Sequence, residues 1–163
     1  MYTTKDMVLF WRTADIYSNW YMTPFEVNGQ RYLCVEQFMM AEKARLFSDS
    51  DAEARILKAT KPDAMKSIGR SVKGYNDAAW AQVREEVVYR GCLEKFKQNP
   101  NLQRSLLLSQ DKLLVEASPV DRVWGIGLEE RDPLAWDQAT WRGQNLLGKA
   151  LMRVRAELLG AIS

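Results

Sequence analysis

Glu36 and Lys43 stand seven residues apart, nearly two helical turns, so on a helix they share a face with Met40 between them. On an open surface such a pair is an ordinary, weak ion pair. In a pocket the same carboxylate has chemistry. The helix macrodipole favours its anion at a first turn, and an anion there can stabilise a sugar cation or activate a water. A second group is Asp121-Arg122-Val123-Trp124-Gly125-Ile126-Gly127. Its glycines admit close backbone approach to a ligand and its indole offers a stacking face, although a tight turn beside a core Trp has the same pattern. A third is Arg142-Gly143 ahead of Asn145-Leu146-Leu147-Gly148. Asn145 there is either an N-cap or part of an amide cluster that, with Arg142, receives a phosphate.

Composition narrows the chemistry further. The 163 residues contain no His, which removes Ser-His-Asp and Cys-His mechanisms and every His-ligated metal site. The two cysteines, Cys34 and Cys92, form no Cys-x-x-Cys, so neither a zinc site nor any cofactor is expected. Isolated cysteines and a start without an apolar run of signal length lead us to expect reduced thiols and a cytoplasmic setting. No stretch reaches the ~20 apolar residues of a membrane span. Lys and Arg total 23 against 21 Asp and Glu, a net charge of +2, which argues against a basic nucleic-acid coat but not against a basic pocket. Charge is nonetheless segregated. Residues 58–73 carry five cations against Asp63 alone, and residues 110–137 carry seven acids against three bases. These are either two solvated faces or an anion pocket beside an acidic loop.

The elements that must position these groups follow from pattern. The length suits one domain, residues 1–163, since domains run to ~100–200 residues. Met7 to Trp11 is a short apolar run and reads as a buried strand. Phe25 to Tyr32 reads as a hairpin around Asn28-Gly29, with Glu26 facing Arg31 and Phe25 facing Tyr32. Helices are expected from Glu36 to about Leu46, from the capping pattern Ser50-Asp51-Ala52-Glu53 to before Pro62, and over 63–70. A long helix capped by Asp77 should bury Trp80, Val83, Val87, Val88, Gly91 and Cys92 and stop at Asn99-Pro100. A helix around Leu102 and Leu106, a strand over Leu113–Ala117, a loop from Pro119 to about Gly143 and a last helix carrying Leu147, Leu151, Val154 and Leu158 complete the chain. In that strand Leu113, Val115 and Ala117 share one side. The fold class is α+β, mostly helical, with a small β-sheet and a hairpin.

Several blocks together carry a family resemblance. They are Ser18-Asn19-Trp20-Tyr21, Val35-Glu36-Gln37-Phe38-Met39-Met40-Ala41-Glu42-Lys43-Ala44, Ile68-Gly69-Arg70, Trp80, Lys95-Phe96, the run from Glu116 to Gly127, and Trp141-Arg142-Gly143-Gln144-Asn145-Leu146-Leu147-Gly148. In this order and spacing, from about residue 8 to 158, they resemble the YbiA-like, or NADAR, family.

That resemblance implies a compact, mostly helical α+β domain that cleaves N-glycosidic bonds at a ribose without a metal. It implies as substrate a phosphorylated N-riboside of riboflavin biosynthesis or a molecule containing ADP-ribose. The alternatives are removal of ADP-ribose from guanine in nucleic acid, and a non-catalytic module that binds NAD or ADP-ribose. Two positions depart from some relatives: Gln37 stands in place of His, and Ile126 in place of an acid between the two glycines. Where the chemistry needs a second carboxylate, it must then come from Asp121 or the 129–137 loop.

The expected roles are these. Glu36 meets the cationic sugar or positions the water, Lys43 supports it, and Asp121 binds ribose hydroxyls or assists the leaving group. Trp80 and Trp124 are candidates to stack on a base, though Trp80 also fits the apolar stripe of its helix. Arg70, Arg142 and the amides near Asn145 are candidates for phosphate. Asn19, Trp20, Gly125, Gly127 and Gly148 complete the expected binding set.

Overall fold

The computed structural model describes residues 1–162. β1 (Tyr2–Thr3) pairs antiparallel with β2 (Met7–Phe10), and β2 pairs in parallel with β5 (Leu113–Glu116), far along the chain. β3 (Phe25–Val27) and β4 (Gln30–Tyr32) form the hairpin, with Glu26 opposite Arg31 and Phe25 opposite Tyr32. Asn28 and Gly29 take φ of 51° and 79°, the left-handed pair that a type I′ turn requires. The helical part fills the long crossover between β2 and β5: α1 (Val35–Leu46), α2 (Ser50–Lys58), α3 (Pro62–Arg70), α4 (Asp77–Gln98) and α5 (Pro100–Leu108). After β5 come a loop, two 3₁₀ turns (Pro133–Trp136 and Gln138–Thr140) and α6 (Leu146–Ile162). No described helix is long and apolar enough to cross a membrane.

Strand alternation sorts the sheet's two faces. Val8, Phe10 and Leu114 join the large core under the helices, whereas Met7, Leu9 and Val115 join a smaller one with Ala117, Ile126, Leu128 and Ala135. Glu116 lies opposite Phe10 and two residues beyond Leu114, so the same alternation turns its side chain toward the helices. α1 is the central helix, and its residues 35–41 are all buried, Glu36 and Gln37 included. α4 crosses it at Gly91, where a Cβ would stand 2.7 Å from Phe38 Cδ1. That close approach explains a glycine on an otherwise bulky stripe.

Several boundaries differ from the sequence reading, each for a local reason. The first strand ends at Phe10, because the Asp15 carboxylate accepts from the Trp11 and Arg12 N–H groups at 3.0 Å and turns the chain. Trp11 is therefore exposed rather than buried. The α2 cap is Asp49, not Ser50: its Oδ1 accepts from Ala52 N at 3.0 Å and its Oδ2 from Lys73 N at 2.8 Å. The α4 cap is Asn76, accepting from Ala79 N at 2.9 Å, and Asp77 is already helical. β1 and the two 3₁₀ turns were not expected. Asp132 and Asp137 start those turns by accepting from the N–H two residues on.

Candidate active site

A cleft of about 640 Å³ opens where α1, α3 and the start of α4 meet the end of β5. The 11–20 segment and the loop after Glu116 complete its walls. It gathers Asn19, Trp20, Glu36, Lys43, Arg70, Trp80, Asp121 and Trp124 from the expected set. It also gathers Trp11, Arg12, Lys66, Glu116 and Ser118, which were not in that set.

Glu36 is 4% exposed. Its backbone N–H donates to Asn19 O at 2.9 Å, which ties the first turn of α1 to the 18–20 segment. Burial and then Asp121 raise the carboxyl to about 7, against the attraction of Lys66, hydrogen bonding from Trp20 and the weaker effect of Lys43. The expectation that the helix terminus alone keeps this group ionised is therefore corrected. Loss of hydration outweighs the helix field, and the group titrates near neutrality.

Lys43 lies on the same face, as the spacing predicts, but is not in salt-bridge contact with Glu36 among the described residues. Its Nζ sits 4.5 Å above the Tyr75 ring. Burial lowers its pKa, Glu36 opposes that, and Arg70 adds to it. The cation that acts most strongly on Glu36 is Lys66, one turn before Arg70 on α3 and 5.7 Å from the Trp20 ring centre. Lys66 and Arg70 thus bring the positive segment to the cleft, and Glu116 and Asp121 bring the acidic segment to it.

Glu116 is the second carboxyl with a strong shift. Burial first, then Asp121 and Glu36, raise it to about 8 against the attraction of Lys66. Its Oε2 is buried with no hydrogen-bond partner among the described residues. Asp121 is partly committed to its loop, its Oδ1 accepting from Val123 N at 2.9 Å and Trp124 N at 2.8 Å. Among the described residues, no three Cys, Asp or Glu side chains are grouped closely enough to hold a metal ion.

Four indoles line the cleft, from Trp11, Trp20, Trp80 and Trp124. Trp80 is 6% exposed and packs in the main core as well, so it is both core and wall.

The remaining expected binding residues lie behind that wall. Asn145 is 1% exposed. Its Oδ1 accepts from Glu116 N at 3.0 Å and its Nδ2 donates to Leu114 O at 3.0 Å. With φ of 53° it stands immediately before α6, and its buried side chain is turned to the backbone of β5 rather than to the cleft. A Cβ on Gly148 would run into Leu114 O and the Asn145 side chain, and one on Gly125 would stand 2.8 Å from Glu116 O. Gly127 takes φ of 70°, and a Cβ there would stand 3.1 Å from Arg142 Cβ. Arg142 is exposed and donates its N–H to Ile126 O at 2.8 Å. None of these five lines the cleft. Together they fasten the loop and α6 to the end of β5.

The two departures from the family pattern also have physical accounts. Gln37 Oε1 accepts from Leu33 N at 2.8 Å, and Nε2 donates to Ile56 O at 3.0 Å and Ala59 O at 3.2 Å. The side chain closes the end of α2 and does not line the cleft. Ile126 is in the smaller core below the sheet. Lys95, quoted only as part of a block, is buried and donates to Ile16 O at 2.6 Å and Ser18 O at 3.0 Å, holding the segment that carries Asn19 and Trp20.

The NADAR domain family model matches residues 9–159. The chain is 40% identical to N-glycosidase R617 of Acanthamoeba polyphaga mimivirus, over 88% of each chain. It is 39% identical to protein irg-1 of Caenorhabditis elegans, over 95% of this chain and 81% of that one. The solution structure of the Escherichia coli protein YbiA superposes with a TM-score of 0.80 at 26% identity, over 98% of this chain and 89% of that one.

Proposed function

The chain belongs to the NADAR domain family, and from that premise and the cleft we propose that it is an N-glycosidase, a hydrolase of the C–N bond between a ribose and a base or base-like amine. The observation that carries the reading is Glu36: a buried carboxyl in a cleft that is also lined by four indoles and by the cations Lys66 and Arg70. Breaking a ribosyl C–N bond builds positive charge at C1′ and the ring oxygen. An anion at Glu36, with little water to screen it, stabilises that charge or orients the attacking water; such placement is worth several kcal/mol in a barrier.

The finer assignments follow the same geometry. Lys66 and Arg70 support a phosphate or diphosphate on the ribose, and Lys43 polarises a ribose hydroxyl. Asp121 keeps one carboxylate oxygen free of its loop for ribose hydroxyls. Trp20, Trp80 and Trp124 supply faces for the base, each contact worth ~1–3 kcal/mol. The substrate class is a phosphorylated N-riboside or an ADP-ribosyl compound. The two buried free thiols, Cys34 and Cys92, support a reducing, cytoplasmic setting. A second reading, removal of ADP-ribose from guanine in nucleic acid, is favoured by exposed Lys58, Lys61 and Lys73, which extend the positive segment beyond the cleft.

The experiment incubates the protein with a phosphoribosylated aminopyrimidine, NAD, ADP-ribose and an oligonucleotide carrying ADP-ribosylated guanine. Chromatography then reads the free base or amine. Release of free base from at least one N-riboside is expected. Binding without any product would replace the enzyme by a sensor of NAD or ADP-ribose.

A further inference from the structure

Cleavage of an N-riboside sets a second demand that Glu36 does not meet. The electron pair of the broken C1′–N bond passes to the base nitrogen, and a base leaves readily only if that nitrogen gains a proton. The donor must be an acid that still holds its proton at neutral pH, must face the cleft, and must stand apart from the anion beneath the sugar.

We propose that Glu116 is this donor, a catalytic general acid aimed into the cleft from the end of β5. The inference rests on the N-glycosidase reading above and deepens it. Glu116 lines the cleft, with its buried Oε2 unpartnered among the described residues. An orphaned carboxyl oxygen in such a site is costly as an anion but well suited to a protonated group awaiting an acceptor. The charged and titratable groups that act on it are Glu36 from α1, Lys66 from α3 and Asp121 from its own loop, and its charge in turn bears on the buried Cys92 thiol of α4. Burial first, and then two anions against one cation, keep the proton on it. Glu36, favoured by Lys66 and Trp20, is the group that releases its proton first. Divergent environments for two neighbouring carboxyls are how one site holds an acid and a base together.

The backbone is organised for the same purpose. Glu116 N donates to Asn145 Oδ1, Glu116 O accepts from Ile126 N at 3.0 Å, and Gly125 leaves room for that carbonyl. The loop and the start of α6 therefore fix the residue from both sides.

The step balances. The C1′–N bond breaks with its pair going to nitrogen, and the Glu116 proton moves to that nitrogen. Water adds its oxygen to C1′ and gives a proton to Glu36. Products are the ribose hydroxyl compound and the neutral base, and exchange with solvent returns both carboxyls to their starting states.

The test compares wild type and Glu116→Gln on two leaving groups: the N-riboside that wild type cleaves, and 4-nitrophenyl riboside 5-phosphate, whose nitrophenolate departs without a proton. On the N-riboside a loss of kcat/KM of at least about 100-fold is expected, and on the nitrophenyl compound a loss under about fivefold. Equal losses on both would overturn the role. The pH profile gives a second reading. The wild-type rate on the N-riboside should fall as pH rises through about 8, where Glu116 loses its proton. With Glu116→Gln that alkaline limb should vanish, and its persistence would contradict the assignment. Failure of wild type on every N-riboside would instead remove the underlying N-glycosidase reading. Glu36→Gln should lose heavily on both leaving groups, which separates the two carboxyls.

Discussion

A carboxyl at a helix start is usually described as an anion, yet Glu36 is raised to about 7 chiefly by its own burial, within a run of seven buried residues in α1. Sequence placed the residue and misjudged its environment. Helical spacing says which residues share a face, but not how much water remains there. Glu116 is the converse case. The alternation of Leu113, Val115 and Ala117 on one side already implied Leu114 and Glu116 on the other, so its direction was legible. Its depth was not, because that depends on α1 and α3 arriving from elsewhere in the chain. Lys66 was visible only as one of five cations, and nothing in a charge run tells which member faces inward. At this scale the phosphate role is tested at Arg70, which is exposed on the cleft wall and free of the core. Arg70→Ala should weaken KM for a phosphorylated riboside about 10-fold, the loss of a charge-assisted contact, and leave a bare nucleoside within about twofold. Equal weakening for both would deny Arg70 any contact with phosphate.

Among the elements, the hairpin was the most legible, because Asn28-Gly29 fixes the turn and two cross-strand pairs fix the register. The least legible was the 119–148 region. Its glycines and Asn145 look like a phosphate loop, and the same residues equally serve a tight joint between a strand and a helix. The structure shows the joint. Asn145 satisfies two backbone groups of β5 from a positive-φ position, so truncating it strands a buried donor and a buried acceptor. Asn145→Ala should cost roughly 2–4 kcal/mol in urea unfolding. It should also lower kcat more than it weakens KM, since the joint sets where Glu116 points. A change under about 0.5 kcal/mol would show that the joint is not tied by this residue.

Across the whole molecule, helices packed as a crossover between two parallel strands leave the cleft at their common edge. The segregated charge seen in sequence becomes complementary walls there, with α3 supplying cations and the end of β5 supplying acids. The class and order of elements followed from apolar periodicity, whereas the pairing of β2 with β5 across about a hundred residues had no local signal. That pairing brings Glu116 to face Glu36. The role proposed for Glu36, beneath the reacting sugar, is tested most directly by single-turnover cleavage with Glu36→Gln, which keeps the shape and removes the charge. The rate on an N-riboside should fall at least about 100-fold, or roughly 2.7 kcal/mol of transition-state stabilisation. In wild type the acid limb should lie near pH 7, activity falling as pH drops and Glu36 takes up its proton. A correctly folded Glu36→Gln protein that turns over within threefold of wild type, about 0.65 kcal/mol, would contradict the account.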